Sequence, residues 1–188
     1  MLRLYLFVSL PLALSLGSIS LEAREYALSS NVLGYADMLT LNAEASMSMS
    51  RHWSIGAGAL YNPFRFKAGK EGRDINRRQR TFYGGARFWP WHVYSGWWFY
   101  GKIQYQEYNF GGLFKPETKE GDRYGAGISF GYTYMLTPFL NIEFGAGFWS
   151  GMDIYKVYSC QVCGMTEKSG KKIFILPDNI LLALSFVF

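Results

Sequence analysis

The chain has 188 residues, enough for one domain with its own core, and its 18% of charged residues is below the roughly 25% usual in soluble domains. The formal net charge of +5 is too modest an excess to indicate a nucleic-acid-binding protein. After residue 20, no apolar run reaches the roughly 18 residues that a membrane-spanning helix needs, so the 19% of aromatic residues and the 21 glycines require another explanation.

The first twenty residues have the pattern of a secretory signal peptide. Arg3 provides a basic start, an apolar stretch follows, and small residues end the segment. We expect cleavage after Ser20 or after Ala23, and the predicted barrel domain spans residues 24–188. No cysteine lies near these positions, so lipidation there is not expected. An uncleaved anchor helix is the alternative.

Alternation of large apolar residues with small or polar ones predicts eight β-strands in the mature chain. Successive side chains of a strand point to opposite faces, so a period of two indicates one apolar face and one small or polar face. The predicted strands, in chain order, are 26–35, 41–49, 53–61, 82–88, 97–105, 123–135, 140–148 and 179–188, of which the first has the weakest pattern. Pro177 cannot donate a backbone hydrogen bond, so we expect it just before the regular part of the last strand.

Short and long connections alternate between these strands. The short ones are 50–53, 89–96 and 135–139, and the long, charged ones are 62–80, 109–122 and 158–172. Hairpins in series place alternate turns at opposite ends of a sheet. The sequence therefore predicts tight turns at one end and charged loops at the other.

The composition of the two strand faces favours a membrane barrel over a soluble barrel or sandwich. In a soluble fold the apolar face forms the core and the other face meets water. Here that other face is mostly Gly, Ser, Thr and Asn with few lysines, which suits a narrow lumen better than solvent. Strands cross a membrane only as a closed sheet, and about 9–11 tilted residues suffice. The sequence therefore predicts an all-β, eight-stranded antiparallel transmembrane β-barrel of the bacterial outer membrane, with periplasmic termini and extracellular long loops.

Aromatic residues and the last strand support this prediction. Tryptophans cluster at the short-turn end, as an interfacial belt would require: Trp53, Trp89, Trp91, Trp97 and Trp98. The candidates for the opposite belt are Tyr61, Tyr105, Tyr124 and Trp149. The closing "ILLALSFVF" (180–188) resembles the terminal signal that the barrel-assembly machinery reads, with Phe186 and Phe188 as its aromatic residues.

Five stretches carry a resemblance to a known family: "SSNVLGY" (29–35), "NAEASMSMSRHWSIGAG" (42–58), "FYGGARFW" (82–89), "RYGAGISFGYTY" (123–134) and "LLALSFVF" (181–188). On these patterns the mature chain resembles a family of small, uncharacterised outer-membrane β-barrels of the Bacteroides group. The resemblance implies the fold and the compartment. It supplies no activity and no catalytic residues, and it suggests a role as an accessory barrel in a larger envelope complex.

Polar residues on the inward face predict a plugged lumen. They are Glu44, Arg87, Lys102, Gln104, Asn141 and Glu143. Charges in a tight lumen are costly unless they are paired, so we expect the two glutamates to pair with Arg87 and Lys102. A gated, very narrow channel or a ligand site is the alternative.

Two motifs could carry chemistry, and we expect neither to be catalytic. "HWS" places His52 and Ser54 two residues apart, as in a lipid-modifying barrel hydrolase, but Ser54 is predicted to face the lumen and no orienting acid is evident. His52 and His92 read as interface histidines, and two histidines exclude a His-rich metal site. "CQVC" lacks the second pair of a zinc site, and export favours a disulfide between Cys160 and Cys163 over free or redox-active thiols.

The segment 65–80 is strongly basic and is predicted to be an external loop. Arg73, Arg77, Arg78 and Arg80 could bind lipopolysaccharide phosphates through charge-assisted hydrogen bonds, although a solvated loop is the simpler interpretation.

The leading functional hypothesis is a non-enzymatic outer-membrane barrel without metal or cofactor. It would be a structural or scaffold subunit, or an accessory, of an envelope complex such as the barrel-assembly machinery, which would also fold it as a substrate. Outer-membrane lipid, lipopolysaccharide and envelope proteins are the expected partners, and nucleic acid is not. The alternatives are a narrow channel or transporter using the lumenal charges and a lipid-modifying barrel enzyme.

Overall fold

A computed structural model describes residues 25–68, 73–111, 117–159, 166–178 and 180–188 of the chain. These residues form ten β-strands and one short helix. In chain order they are β1 (Tyr26–Asn31), α1 (Val32–Ala36), β2 (Leu41–Ser50), β3 (Trp53–Asn62), β4 (Arg65–Ala68), β5 (Arg73–Phe88), β6 (Gly96–Gly111), β7 (Thr118–Thr137), β8 (Leu140–Tyr158), β9 (Thr166–Pro177) and β10 (Leu181–Val187). Within this described part, no helix has the length and apolar character needed to cross a membrane.

Eight strands close into a ring of antiparallel neighbours. The order is β1, β2, β3, β5, β6, β7, β8 and β10, and β10 returns to β1. The two extra strands are continuations of ring members. β4 pairs with β5 beyond the end of β3, and β9 pairs with β8 beyond the start of β10. The prediction of an all-β, antiparallel, barrel-like fold with eight strands is confirmed.

The two faces of the ring have opposite chemistry. Large apolar side chains point outward and are exposed, such as Ile128 and Ile173, the latter 79% exposed. Most inward-pointing side chains are small, polar or charged, and Glu143 is only 2% exposed, while aromatic residues such as Trp98 and Trp149 fill part of the interior. Over most of the ring, the usual soluble pattern of an apolar core and a polar surface is therefore inverted.

The first strand is shorter than predicted. β1 ends at Asn31, where the side-chain Oδ1 accepts hydrogen bonds from the backbone N–H groups of Leu33 and Leu182. The first of these bonds caps α1, which replaces the strand expected to continue to residue 35.

The prediction of long loops was wrong for most of the residues that it covered, because these residues form strands. β5, β6, β7, β8 and β9 continue through much of 73–80, 106–111, 118–122, 149–158 and 166–176. Backbone pairing continues there although charged and polar residues interrupt the apolar alternation, so the alternation did not reveal the full length of these strands. The basic segment 65–80 accordingly forms β4 and the first half of β5 in its described parts, rather than a loop.

The ends of the described chain meet at the short-turn end of the ring. The backbone N–H of Tyr26 donates to the carbonyl oxygen of Phe188 at 2.8 Å, and the reverse bond measures 2.9 Å. Phe186 pairs with Leu28 and Leu140, and its side chain faces outward. The last strand therefore closes the ring.

Candidate functional site

A buried guanidinium holds two carboxylates in the centre of the barrel. Arg87 donates from Nη2 to Glu44 at 2.7 Å and from Nη1 to Glu143 at 2.8 Å. Its guanidinium carbon also lies 4.5 Å from the ring centroid of Trp98 and 4.8 Å from that of Tyr100. We call Arg87, Glu44 and Glu143 the central triad. The three members of the triad lie on β2, β5 and β8, so their ion pairs connect strands that are not neighbours in the ring.

Lys102 does not join the triad. Its Nζ lies 2.6 Å from Asp178, and both side chains are buried. Asp178 also accepts a hydrogen bond from Ser129. Asp178 follows Pro177 in the break between β9 and β10, outside any regular alternation, so sequence reasoning missed it. The expected pairing of Lys102 with a glutamate was wrong, because the register brings Asp178 next to it.

The remaining predicted lumenal residues are buried beside these charges. Asn141 donates from Nδ2 to the carbonyl oxygen of Tyr94 at 3.0 Å. Gln104 lies on the inner face of β6, and within the described part of the chain its Oε1 has no hydrogen-bond partner. Tyr83, which sequence reasoning did not select, donates its hydroxyl to Glu44 at 2.9 Å. Its inward position on β5 followed from the same alternation that places Arg87.

Aromatic residues close the short-turn end of the interior. Trp89 is completely buried and packs against Tyr94 with their ring centroids 5.7 Å apart. Trp98 and Trp149 are also buried, so the prediction of these three tryptophans as belt residues was wrong. The turn carrying them needs positive φ angles at Tyr94 and Gly96, and Val93 contributes to the same cluster. The cavities next to the central triad are small, about 40 and 20 Å³. The interior is therefore filled at its centre and at this end.

The "HWS" motif supports the position of Trp89. The indole N–H of Trp89 donates to the Ser54 hydroxyl at 2.9 Å, and the Trp89 carbonyl lies 3.0 Å from Nδ1 of His52. Ser54 is buried inside the barrel, and in the described residues no hydrogen bond joins it to His52. His92 bonds the Val93 carbonyl in its own turn. A nucleophile needs a base within hydrogen-bond reach, and this geometry does not provide one for Ser54.

The basic segment is divided between the two faces of β5. Arg77 points inward and makes a two-point contact with Asp37, through Nε at 2.7 Å and Nη2 at 2.9 Å. Arg78 and Arg80 are exposed and line an open concavity of about 440 Å³ on the outer face. Strand alternation therefore separates residues that the sequence presents as one patch. Arg73 lies at the start of β5, and its side chain is outside the described part.

Another buried carboxylate, Asp153, lies close to several cations above the central triad. Asp153 is fully buried and accepts a hydrogen bond from the Tyr108 hydroxyl at 2.7 Å. Lys119 Nζ lies 2.8 Å, Arg123 Nε 3.6 Å and Lys172 Nζ 3.9 Å from its oxygens. These five residues form the Asp153 cluster. Sequence reasoning missed it because the strands were predicted to end too early, although the alternation of β8 continues to Asp153.

Two sequence predictions concern residues that lie outside the described part of the chain. Cys160 and Cys163 lie outside the described residues, so their disulfide stays a prediction. The signal peptide also lies outside them and stays a prediction. The described residues contain no group of His, Cys, Asp and Glu side chains arranged to hold a metal ion.

Comparison of the chain with known proteins identifies a family to which it is similar. The model of the family described as "Protein of unknown function (DUF3575)" matches residues 8–188. No curated protein and no solved structure matches the chain. Because the family match covers nearly the whole chain, this protein is a member of the DUF3575 family.

Proposed function

We propose that this protein is a small, non-enzymatic outer-membrane barrel with a closed lumen, and that it serves as a structural subunit or accessory of a larger envelope complex. The observation that carries the proposal is the filled interior. The central triad and the Lys102–Asp178 pair occupy the middle of the barrel, and Trp89 seals one end. A barrel filled in this way offers its outer surface and rim for interaction rather than a path for solutes.

The outer surface supports placement in a membrane. Apolar side chains cover it between two levels of aromatic residues, with Trp53 and Trp97 near the short turns and Tyr105 and Tyr124 at the other level. Such paired aromatic levels are typical of outer-membrane barrels. In water, an exposed apolar surface of this extent would promote aggregation.

The proposed orientation places the short turns in the periplasm and the extended strands outside the cell. Both described chain ends would then be periplasmic, and Phe186 and Phe188 would belong to the segment that the barrel-assembly machinery reads. That machinery would fold the chain as a substrate, and it is one example of a complex that the chain could join.

Crosslinked affinity purification from native envelopes tests the scaffold role. We expect a tagged chain to recover one or a few envelope proteins in stable, stoichiometric amounts in mild detergent. The control is the same tagged chain, which is purified and folded separately. It is then added to envelopes that have already been extracted with detergent. Recovery of the chain alone under crosslinking would count against the proposal.

The two alternatives give different results. Steady single-channel openings of the purified protein in planar bilayers would favour the narrow channel. A lipid-modifying activity lost on Ser54→Ala or His52→Ala would favour the enzyme.

Lipopolysaccharide is a proposed partner of the outer rim. Arg78 and Arg80 lie on the outward face of β5, beyond the level of Tyr105, where lipid phosphates would be located. Arg80 also lies 3.6 Å from Glu107, so the rim is not purely basic.

Charge reversal tests this contact. We expect Arg78→Glu with Arg80→Glu to weaken lipopolysaccharide binding at low salt by about tenfold, because charge-assisted hydrogen bonds to phosphate are lost. Arg51→Glu reverses an exposed charge in the short turn at the opposite end and should leave binding unchanged. Equal binding by both reversed proteins at every salt concentration would exclude these arginines as the contact.

A further inference from the structure

The inner face of the extended strands carries an excess of positive charge. Among the described inward-facing residues of β6–β9 above the central triad, Asp153 is the one carboxylate, whereas the cations are Lys119, Arg123, Lys168 and Lys172. The outward face of the same strands carries no such excess, because Glu107, Glu120, Asp122 and Glu167 outnumber Lys156 and Lys171. The positive excess is therefore confined to the side that opens into the mouth of the barrel.

The Asp153 cluster concentrates this excess in one place. One carboxylate neutralises one positive charge, but three cationic groups lie within 2.8 to 3.9 Å of it. Arg123 is held in place by the Tyr108 ring, 3.9 Å from its guanidinium carbon, and its Nε has no hydrogen-bond partner in the described part of the chain. Among the described residues, the arrangement leaves about two positive charges without a counter-charge.

Two of the cations are accessible from outside. The side chain of Lys172 is 52% exposed and that of Lys119 is 28% exposed, whereas Asp153 beneath them is fully buried. An approaching anion would therefore meet both ammonium groups before the carboxylate. The aromatic ring of Tyr155 lies 4.5 Å from Lys119 Nζ and 5.5 Å from Lys172 Nζ, so it lies beside both groups.

We propose that the Asp153 cluster is a binding site for a doubly charged tetrahedral oxyanion, the phosphate or sulfate group of an extracellular solute or glycan. Lys119 and Lys172 would donate to the anion, and Arg123 would contribute positive charge from below. Asp153 keeps the three cations together when the site is empty and leaves enough positive charge to attract a dianion.

The surroundings of Lys119 lower its pKa from the ordinary value. Lys119 lies on the extended part of β7, beyond the aromatic level marked by Tyr124. Burial lowers its pKa the most, and the positive charges of Lys172 and Arg123 lower it further, against the raising effect of Asp153. A bound dianion would relieve this repulsion.

Isothermal titration calorimetry of the full mature chain in a non-ionic detergent tests the site. Inorganic phosphate and inorganic sulfate are the probes, and acetate is the singly charged planar control. We expect saturable binding of at least one tetrahedral anion, stronger than that of acetate. Lys172→Gln should weaken it about tenfold, because a charge-assisted hydrogen bond is lost.

Lys171→Gln is the matched control. It removes the same charge from the adjacent residue of β9, whose side chain points to the opposite face, and it should change the affinity by less than about twofold. At one fixed anion concentration, the same anion should raise the unfolding temperature of the wild type and of Lys171→Gln more than that of Lys172→Gln. Absence of saturable binding to the wild type, or equal losses in the two variants, would overturn the proposal.

The probes also distinguish the chemical source of the ligand. Preference for phosphate over sulfate would assign a phosphorylated ligand, and the reverse preference a sulfated one. Neither result depends on the scaffold role, since partner capture can fail while anion binding persists.

Discussion

Arg87→Met is expected to reduce the free energy of unfolding by about 3–5 kcal/mol, because it leaves Glu44 and Glu143 buried without a counter-charge. The Arg87 side chain is 6% exposed and bonds both carboxylates, so water cannot replace it without entering the filled interior. Methionine retains much of the volume against Trp98 and Tyr100, which confines the change mainly to charge.

Urea unfolding in detergent micelles, followed by tryptophan fluorescence, measures this effect. Arg80→Met is the control on the same strand, and since Arg80 is exposed we expect a loss of less than about 1 kcal/mol. Adding Glu44→Gln and Glu143→Gln to Arg87→Met should restore much of the stability, because no buried charge then remains unpaired. Unchanged stability of the single variant would contradict the role of the triad.

The central triad also predicts that the protein does not conduct ions. The wild type should show no steady conductance in planar bilayers, because the centre of the lumen is occupied by bonded side chains and the cavities beside them are about 40 and 20 Å³. Large, stable openings would refute the closed lumen directly, whatever the partner experiments find.

Trp89→Ala is expected to have an effect of similar size, about 3–5 kcal/mol, since it removes a fully buried aromatic side chain. The variant loses the packing against Tyr94 and leaves Ser54 without its donor. The cluster at the short-turn end would then contain a cavity next to the guanidinium of Arg87, which lies 5.6 Å from the Trp89 ring.

Trp91→Ala is the matched control for this prediction. Trp91 lies two residues away in the same turn and is 77% exposed, so its removal should cost less than about 1 kcal/mol in detergent. Both variants can be followed by urea unfolding and by the shift in gel mobility between folded and heated protein. Similar losses for Trp89 and Trp91 would show that the turn, rather than buried packing, sets stability.

Strand alternation predicted, for individual residues, which side chains face the interior. Arg87 and Glu143 occupy inward positions in their strands, and the structure places both side chains inside the barrel. The pairing of Arg87 with a glutamate was expected and is confirmed, but its binding of both Glu44 and Glu143 was not predictable, because the three residues lie on strands far apart in sequence. Lys102 illustrates the limit: its partner, Asp178, lies in an irregular break where no periodicity guides the prediction.

The sequence also did not predict where the strands end. Hydrophobic alternation becomes irregular where charged residues enter the strands, yet backbone pairing continues in β5–β9. The Asp153 cluster lies in that continuation, and Arg77 was grouped with Arg78 although β5 points them in opposite directions.

The sequence by itself determined the class of fold and the face on which each regular strand residue lies, because both follow from a local period of two. Only the tertiary structure decided which inward charges meet, where the strands end and which arginines remain accessible. Those outcomes depend on register around a closed ring, where residues far apart in the chain come within hydrogen-bond distance through contacts that no local pattern encodes.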